Sequence, residues 1–342
     1  NFIQTTLASL SHTISIPRII SPFPIRREGR LRLAQTVINV NLTYTDRRAL
    51  FKLRSINGSF GYQWSRSHAH SENELTVNST RTFLWKPLNI EYTGLETQDS
   101  LNKMLIANPS LKLAFRPGLV IGQQFIYNSV RTKGNVSDYL LATLEESGAT
   151  LGFIRSLDEG QLFRYLRGEL EFRHTIDYGG GKNQLAFRAY GGAGFSYGRT
   201  SNGYEQTLPF FKAYFAGGPN SMRAWQVRQL GLGSSKFYSD TPYNNVDLRF
   251  GDIKLEGNVE YRFLLGTLFG IKLRSALFTD VGNIWNWTPI DTSALAKGSD
   301  FKLNRFYKEF AIGAGTGLRF DFNYFLIRLD WAYKIRDPQR IE

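Results

Sequence analysis

The sequence contains no cysteine among its 342 residues and only 2 methionines. The absence of cysteine excludes disulfide bonds, thiolate metal sites and a cysteine nucleophile. Long apolar runs are also missing. The longest, residues 263–271, includes Gly266 and Thr267 and is far shorter than the roughly 18 residues that a membrane-spanning helix needs. A helical membrane protein is therefore excluded.

Glycine and aromatic residues are abundant, with 32 Gly, 26 Phe, 17 Tyr and 6 Trp, and this composition favours a chain rich in β-strands. Lys and Arg number 42 against 29 Asp and Glu, which gives a formal net charge of +13. An excess of this size suits binding to nucleic acid or to an anionic membrane. No proline-rich linker or low-complexity tract divides the chain, so we expect a single domain.

Apolar and charged residues alternate with a period of two over long segments. Between 166 and 178, Leu166, Leu170 and Phe172 share one parity, whereas Glu169 and Glu171 share the other. The same alternation recurs in residues 254–263, 310–322 and 325–334. Side chains of a β-strand point to opposite faces in turn, so each segment is predicted to be a strand with one apolar and one charged face.

Two architectures can produce this pattern: a soluble sandwich with its apolar faces inside, and a transmembrane barrel with its apolar face toward lipid. Segments of roughly 9–13 residues match the roughly 9–11 residues that a tilted strand needs to cross a bilayer. Long and short connections alternate, as in such barrels. Aromatic residues stand where interfacial girdles are expected, at Tyr178, Tyr197, Phe263, Trp285, Trp287 and Tyr333. The sequence therefore predicts an all-β fold, an antiparallel transmembrane β-barrel.

About twelve strands are visible. The predicted ranges are 2–16, 30–45, 48–65, 80–93, 117–132, 137–155, 162–178, 183–198, 252–264, 270–285, 309–322 and 324–335. A switch of parity within residues 51–64 predicts a β-bulge. Residues 96–109 place apolar side chains at near-helical spacing and predict a short helix in a connection.

Two motifs carry a family resemblance: residues 215–225 read FAGGPNSMRAW, and residues 278–285 read FTDVGNIW. Together they resemble the signature of the BamA/TamA family of outer-membrane assembly barrels, also called the bacterial surface antigen family. In that family a loop between two late strands folds into the lumen, and its arginine docks on acidic residues of the following strands. The residues that resemble the loop tip are Gly217, Gly218, Pro219, Asn220, Ser221, Met222 and Trp225, and those that resemble the docking strand are Phe278 and Gly282.

The resemblance implies that residues 199–251 form the lumen-inserted loop and that Arg223 docks on Glu260 and Asp280. One residue departs from the family pattern, which usually has glycine directly after the arginine where this chain has Ala224. Glycine tolerates a positive φ that alanine resists, so the departure concerns the backbone of the loop tip.

The alternation gives independent support for the two acidic positions. Asp280 shares its parity with Lys272 and Arg274, and Glu260 lies on the polar parity of its own segment. Both carboxylates should therefore point into the lumen, where one planar guanidinium can bind both. On spacing alone, a solvated loop charge is the simpler interpretation of Arg223; the family resemblance favours docking.

The family barrel has sixteen strands and follows periplasmic POTRA domains, and no POTRA-like stretch is visible here. The resemblance thus implies that residues 1–342 are an outer-membrane barrel domain without its first few strands, its last strand and the POTRA domains. TamA-like proteins of Gram-negative bacteria, including lipoprotein variants, are the most similar subtype.

The function implied is outer-membrane protein assembly, insertion or translocation through a laterally opening barrel seam, without nucleotide or covalent chemistry. The alternative is a polypeptide-secretion or solute channel with a plugged lumen. A third hypothesis, a lipid hydrolase, needs a Ser/His pair that the sequence does not offer. The implied partners are client outer-membrane proteins, outer-membrane lipid and lipopolysaccharide, and periplasmic or inner-membrane partners through the POTRA domains.

Other chemistry-bearing patterns are weak, so we expect neither an enzyme nor a cofactor or metal. His68 and His70 lack a third ligand nearby and suggest a hydrated loop. Glu145 and Glu146 are consecutive and so lie on opposite faces of a strand. The glycine runs at 191–194 and 313–315 lie inside strands without a following helix, which favours close packing against a lumenal loop over phosphate binding.

The barrel hypothesis also explains the net charge. Opposite charges alternate along the lumenal parities, and the positive excess lies in loops and strand ends such as Arg26-Arg27 and Arg47-Arg48. There it can meet anionic headgroups and lipopolysaccharide phosphates, so no nucleic-acid partner is expected.

Overall fold

Twelve antiparallel strands form one sheet in which each strand pairs with its neighbour in sequence. The computed structural model describes residues 5–20, 33–48, 50–72, 75–107, 115–149, 162–198, 208–237, 249–289, 293–322 and 324–340. The strands are β1 (Thr5–Ile16), β2 (Leu33–Arg47), β3 (Phe51–Glu72), β4 (Leu75–Thr97), β5 (Gly118–Lys133), β6 (Val136–Ser147), β7 (Tyr165–Tyr178), β8 (Asn183–Ser196), β9 (Ile253–Leu268), β10 (Ile271–Trp285), β11 (Ala311–Asp321) and β12 (Leu326–Arg336).

The sheet buries its charged face and exposes its apolar face. On β7, Leu170 and Phe172 are 53% and 42% exposed, whereas Glu171 between them is 8% exposed. On β12 the exposed parity includes Leu329 and Trp331. A soluble sandwich would show the reverse arrangement, because its apolar faces form the core. The predicted all-β transmembrane barrel fold is therefore confirmed, with β1 and β12 as the two edges that stay unpaired with each other in the described residues.

The predicted number of strands is confirmed, and so is the helix, which is α1 (Asp99–Ala107). The bulge lies where the pairing of β3 with β4 shifts register between Phe60 and Tyr62. The sixth strand ends earlier than predicted, at Ser147, and residues 150–155 of its predicted range lie outside the described residues, as do residues 2–4 of the first. His68 and His70 were expected in a loop and instead belong to β3, because β3 and β4 continue their pairing to Glu72 and Leu75.

The girdle interpretation was wrong for Trp285. Its side chain is fully buried, and its indole N–H donates to Glu309 at 2.7 Å. Residues of both long connections contact this ring: the centre of the Phe301 ring lies 5.6 Å from it, and a Cβ on Gly233 would lie 2.9 Å from its Cδ1 atom. Strand parity alone does not reveal these contacts. Trp287, two residues on, is 45% exposed. Arg47 is also buried, contrary to its expected contact with headgroups, and Arg26-Arg27 lie outside the described residues.

Short turns and long connections occupy opposite ends of the sheet from β4 onward. Residues 134–135, 179–182 and 269–270 form short turns at one end, whereas the helix α1 and residues 197–252 and 286–310 belong to connections at the other. In bacterial outer-membrane barrels, short turns face the periplasm and long loops face outward. None of the helices in the described residues has the length and apolar character to span a membrane.

The connection between β8 and β9 packs back against glycines of the sheet, as predicted from the glycine runs. A Cβ atom on Gly192 would lie 2.6 Å from the Cε1 atom of Tyr214, and one on Gly194 would lie 2.8 Å from a methyl carbon of Leu208. On the other side, a Cβ on Gly313 would lie 2.9 Å from the Cβ of Ala224. The absence of side chains at these positions lets the loop backbone approach the strands.

Replacing Gly192 by alanine should displace Tyr214 and destabilise the barrel by about 1–3 kcal/mol, the usual cost of overpacking. Gly58→Ala is the matched control, since Gly58 also lies within a strand but has no neighbour within 4 Å of the added Cβ. Thermal unfolding in detergent micelles, followed by circular dichroism, measures the difference. Equal midpoints for the two variants would contradict the packing described here.

Candidate functional site at the loop tip

The candidate site lies where the tip of the β8–β9 loop meets the interior faces of β9 and β10. These strands are antiparallel neighbours, and their register places Asp280 opposite Asn258 and Phe278 opposite Glu260. Phe278, Asp280 and Glu260 are all buried. The register thus presents two carboxylates and one aromatic ring on a single patch of the inner wall.

Arg223 binds both carboxylates. Its Nε and Nη2 atoms donate to the two oxygens of Asp280 at 2.9 and 2.8 Å, and its Nη1 donates to Glu260 at 2.6 Å. Its backbone N–H also donates to Asp280, at 3.0 Å. The pairing with Asp280 is bidentate, and lysine cannot reproduce it because its ammonium group is a point charge. The structure therefore brings together the three residues that the family resemblance singled out.

The aromatic ring of Phe278 lies against the guanidinium group of Arg223. The Cζ atom of Arg223 lies 3.4 Å from the centre of the ring, within the range of a cation–π interaction. The ring is accommodated by Gly315 opposite it on β11, where a Cβ would lie 2.5 Å from the ring. Gly282 allows close approach of β9 to β10, because a Cβ there would lie 2.8 Å from the carbonyl oxygen of Leu255.

The first half of the loop tip is a tight turn held by Ser221. Gly217 has a φ of 102°, a conformation that favours glycine. Its N–H donates to the Ser221 hydroxyl at 3.3 Å, and that hydroxyl donates to Glu256 at 2.6 Å. Gly218 also has a positive φ, of 95°. The turn thus fixes the backbone from which Arg223 projects.

The remaining tip residues contact strands on either side. Met222 is fully buried, and the Trp225 indole N–H donates to Asp337 at 3.4 Å. Arg328 of β12 donates to the carbonyl oxygen of Pro219 at 2.6 Å and to the side chain of Asn220 at 3.3 Å. The tip is therefore bonded to residues at and beyond β12 as well as to β9 and β10.

Ala224 fits the site without strain. Residues of the described chain other than glycine have a positive φ only at Arg228 and Phe269, so the alanine does not require the conformation that glycine favours. Its methyl group lies against Gly313 of β11. The departure from the family pattern is thus compatible with the docked arginine.

A second buried ion pair, which the sequence analysis missed, holds the base of the loop. Lys212 donates to Glu145 of β6 at 2.8 Å and pairs with Glu91 of β4 at 3.0 Å. The Tyr165 hydroxyl also donates to Glu145, at 2.8 Å. The sequence relates Glu145 only to its neighbour Glu146. The position of Glu145 on the interior parity of β6 indicates a buried carboxylate that needs a cation. No local spacing identifies that cation as Lys212, which lies 67 residues away.

The charge on Lys212 is maintained by its surroundings. Burial alone would lower the pKa of this amine, but the nearby Tyr165, Glu145 and Glu91 more than offset burial and raise the pKa of Lys212 above its usual value. The ammonium group therefore stays protonated at physiological pH.

Further arginines surround the site. Glu260 also accepts from Arg262 at 2.9 Å and from Arg319 at 3.0 Å. Arg188 pairs with Glu171 at 2.7 Å and Glu256 at 2.6 Å. Arg188 is linked to the Arg223 site through Asn258, whose side chain accepts from Arg188 at 3.0 Å and donates to Asp280 at 2.9 Å. In the described residues, three or more His, Asp or Glu side chains suited to holding a metal ion do not come together.

Comparison with known protein families identifies one superfamily. The sequence profile of the Omp85 superfamily domain matches residues 148–342, more than half of the chain and the part that contains the site. No curated protein sequence matches the chain.

Solved structures with a similar fold have low sequence identity. BamA from Haemophilus ducreyi lacking POTRA domains 1-3 aligns with 98% of this chain and 67% of its own length, at 13% identity and a TM-score of 0.48. CdiB from Escherichia coli aligns with 89% of this chain and 49% of its own, at 12% identity and a TM-score of 0.45. CdiB from Acinetobacter baumannii aligns with 100% and 58%, at 11% identity and 0.42. The chain therefore spans about half to two thirds of the length of these proteins.

Replacing Arg223 by alanine should destabilise the docked loop by about 3–5 kcal/mol, because it leaves the buried carboxylate of Asp280 without its cation. Arg223→Lys should recover only part of this loss, because a point charge cannot serve both carboxylates. Limited proteolysis of residues 199–251 and thermal unfolding in micelles measure the effect. Arg54→Ala removes an exposed ion pair with Glu96 and serves as the control. Wild-type protease resistance in Arg223→Ala would refute the anchoring role.

Replacing Lys212 by methionine should loosen the base of the loop by a similar amount, since Glu145 would become an unpaired buried charge. Adding Glu145→Gln should restore part of the stability, because the uncompensated charge is then gone. Lys103→Met on the exposed face of α1 is the control. The same unfolding measurement applies, and additive losses in the double variant would contradict a direct pair.

Proposed function

Because the chain belongs to the Omp85 superfamily and is an integral β-barrel protein of the outer membrane, we propose that it inserts or translocates polypeptides at that membrane. The more specific part of the proposal is insertion of client outer-membrane proteins through a laterally opening seam between barrel strands. A strand edge exposed in this way offers unpaired N–H and C=O groups, and an incoming strand can pair with them by β-augmentation. Pairing also satisfies the backbone of the client inside the bilayer, where unpaired groups are costly.

The observation that supports insertion over passage through the lumen is the pair of anchors on the β8–β9 loop. Lys212 is held by β4 and β6, and Arg223 is held by β9 and β10. The loop therefore lies across the interior face, and a chain that passed through the lumen would have to break buried ion pairs. Insertion at a strand edge leaves both anchors intact, and it needs neither nucleotide nor covalent chemistry.

The proposed partners follow from this function. They are unfolded client barrels, outer-membrane lipid and lipopolysaccharide, and periplasmic or inner-membrane assembly factors that act through POTRA domains. A TamA-like or lipoprotein subtype within a Gram-negative translocation and assembly module is part of the same proposal. The alternative, a polypeptide-secretion or solute channel, is distinguished by the place where the substrate ends up.

Reconstitution tests the proposal. The full chain in lipopolysaccharide-containing vesicles should increase the fraction of a urea-unfolded client barrel that becomes folded and resistant to carbonate extraction, by at least severalfold over empty vesicles. Arg223→Ala should reduce this gain, and Arg54→Ala should not.

Two outcomes would overturn the insertion function. One is a client whose folded, carbonate-resistant fraction is no higher than in empty vesicles. The other is a client that accumulates in the vesicle interior, protease-protected but extractable, which would establish secretion instead. A photo-crosslinker at Thr143, which shares the interior parity of β6 with the buried Glu145, provides a second measurement. Abundant crosslinks there indicate passage through the lumen.

A further inference from the structure

A cavity of about 600 Å³ lies between the loop tip and the short-turn end of the sheet. Its walls are the interior faces of β7, β8 and β9 together with residues of the loop tip and Arg328 near the start of β12. Four arginines of the strands line it: Arg173, Arg188, Arg262 and Arg328. We call these four side chains the arginine face.

The arginine face is cationic on the side that meets the cavity. The side chains of Arg173, Arg262 and Arg328 are 55%, 41% and 33% exposed. The carboxylates that pair with them lie behind, with side-chain exposures of 10% for Glu171, 10% for Glu260 and 13% for Asp330. Of the described residues that line the cavity, five are arginines and one, Glu260, carries a carboxylate, so a solute meets mainly guanidinium groups.

The pairing also leaves positive charge in excess. Glu171 is shared by Arg173 and Arg188, and Glu260 is shared by Arg223, Arg262 and Arg319. The whole network of described ion pairs around the cavity contains seven cations and five carboxylates, a difference of two positive charges. Its members are Arg173, Arg188, Arg223, Lys254, Arg262, Arg319 and Arg328 with Glu171, Glu256, Glu260, Asp280 and Asp330.

The positions of two of these arginines in adjacent strands add to the electrostatic repulsion between like charges. Arg173 and Arg188 are directly opposite each other in the pairing of β7 with β8. Like charges in opposite positions destabilise a sheet. Here the two arginines share Glu171, and Arg188 has a second carboxylate partner in Glu256. An additional anion in the cavity would relieve this repulsion and gain charge-assisted hydrogen bonds.

We propose that the arginine face binds side-chain carboxylates of an acidic polypeptide segment that enters from the short-turn end. Arg173, Arg188 and Arg262 belong to the neighbouring strands β7, β8 and β9, which lie about 4.7–4.9 Å apart. Same-side residues of an extended peptide are spaced by two residues, about 6.6–6.8 Å. Ala186, on the same parity of β8 as Arg188, and Pro219 add apolar wall between the charges. This spread of cations over an open, partly apolar surface suits several carboxylates on one chain better than a single compact phosphate.

The inference rests on the proposed function, because the acidic segment would belong to a client polypeptide or to a periplasmic partner that delivers it. The inferred binding of an acidic segment and the proposed insertion function can still be refuted independently. Peptide binding is measured on the detergent-solubilised full chain without insertion, whereas insertion is measured in vesicles.

The test uses a fluorescent extended peptide rich in Asp and Glu, and its twin in which every carboxylate is an amide. Fluorescence anisotropy should give an affinity for the acidic peptide at least about tenfold higher than for the neutral one, and added NaCl should weaken it. The double variant Arg173→Gln/Arg262→Gln should lose about tenfold in affinity, the order expected for removing charge-assisted hydrogen bonds. Both substitutions leave Glu171 and Glu260 with another cation, so the wall stays paired. Arg54→Gln is the matched control.

Equal affinity for the two peptides, or an unchanged affinity in the double variant that unfolds at the wild-type temperature, would overturn the inference. Complete displacement of the acidic peptide by millimolar inorganic phosphate would overturn the polypeptide assignment in favour of a general phosphate site. Peptide binding that depends on Arg173 and Arg262 in a chain that inserts no client would uphold this inference and refute the proposed function.

Discussion

The structure depends on mutual neutralisation of charges that its own sheet encloses. A barrel in lipid turns its apolar side chains outward, so the charged parity of every strand faces a confined interior in which an unpaired charge is costly. Arg223 resolves this constraint at one wall by binding Asp280 and Glu260 at 2.6–2.9 Å. Lys212 does the same at another wall with Glu145 and Glu91. The loop that carries both cations is therefore a structural component of the barrel interior.

Much of the fold was predictable because strand periodicity survives in the sequence. Leu170 beside Glu171 is enough to define two faces, and the length of the alternating segments favoured a bilayer over a soluble core. The residues at the loop tip were identified by resemblance, and parity placed Asp280 and Glu260 on the interior face. The strand register then explains why they meet: Asn258, two residues before Glu260, is the partner of Asp280.

Other features depend on contacts between segments that are distant in the sequence, and no local sequence pattern predicts them. Lys212 lies in a loop without periodicity, and its partners belong to two strands far earlier in the chain. Trp285 continues the outward parity of β10 but is covered by the connections at that end of the sheet. The length of β3 and β4 was underestimated because their pairing persists through polar residues such as His68, which carry no apolar alternation.

The two anchors of the loop have a geometric consequence for the barrel as a whole. Ten residues separate Lys212 from Arg223, and a chain of fixed contour length can join two walls only within a limited separation. The loop thus acts as a cross-brace, and the width of the interior is set by a segment that crosses it as well as by the number and tilt of the strands. A change in the length of this segment would displace the contacts on both walls together. The segment therefore couples β4 and β6 mechanically to β9 and β10.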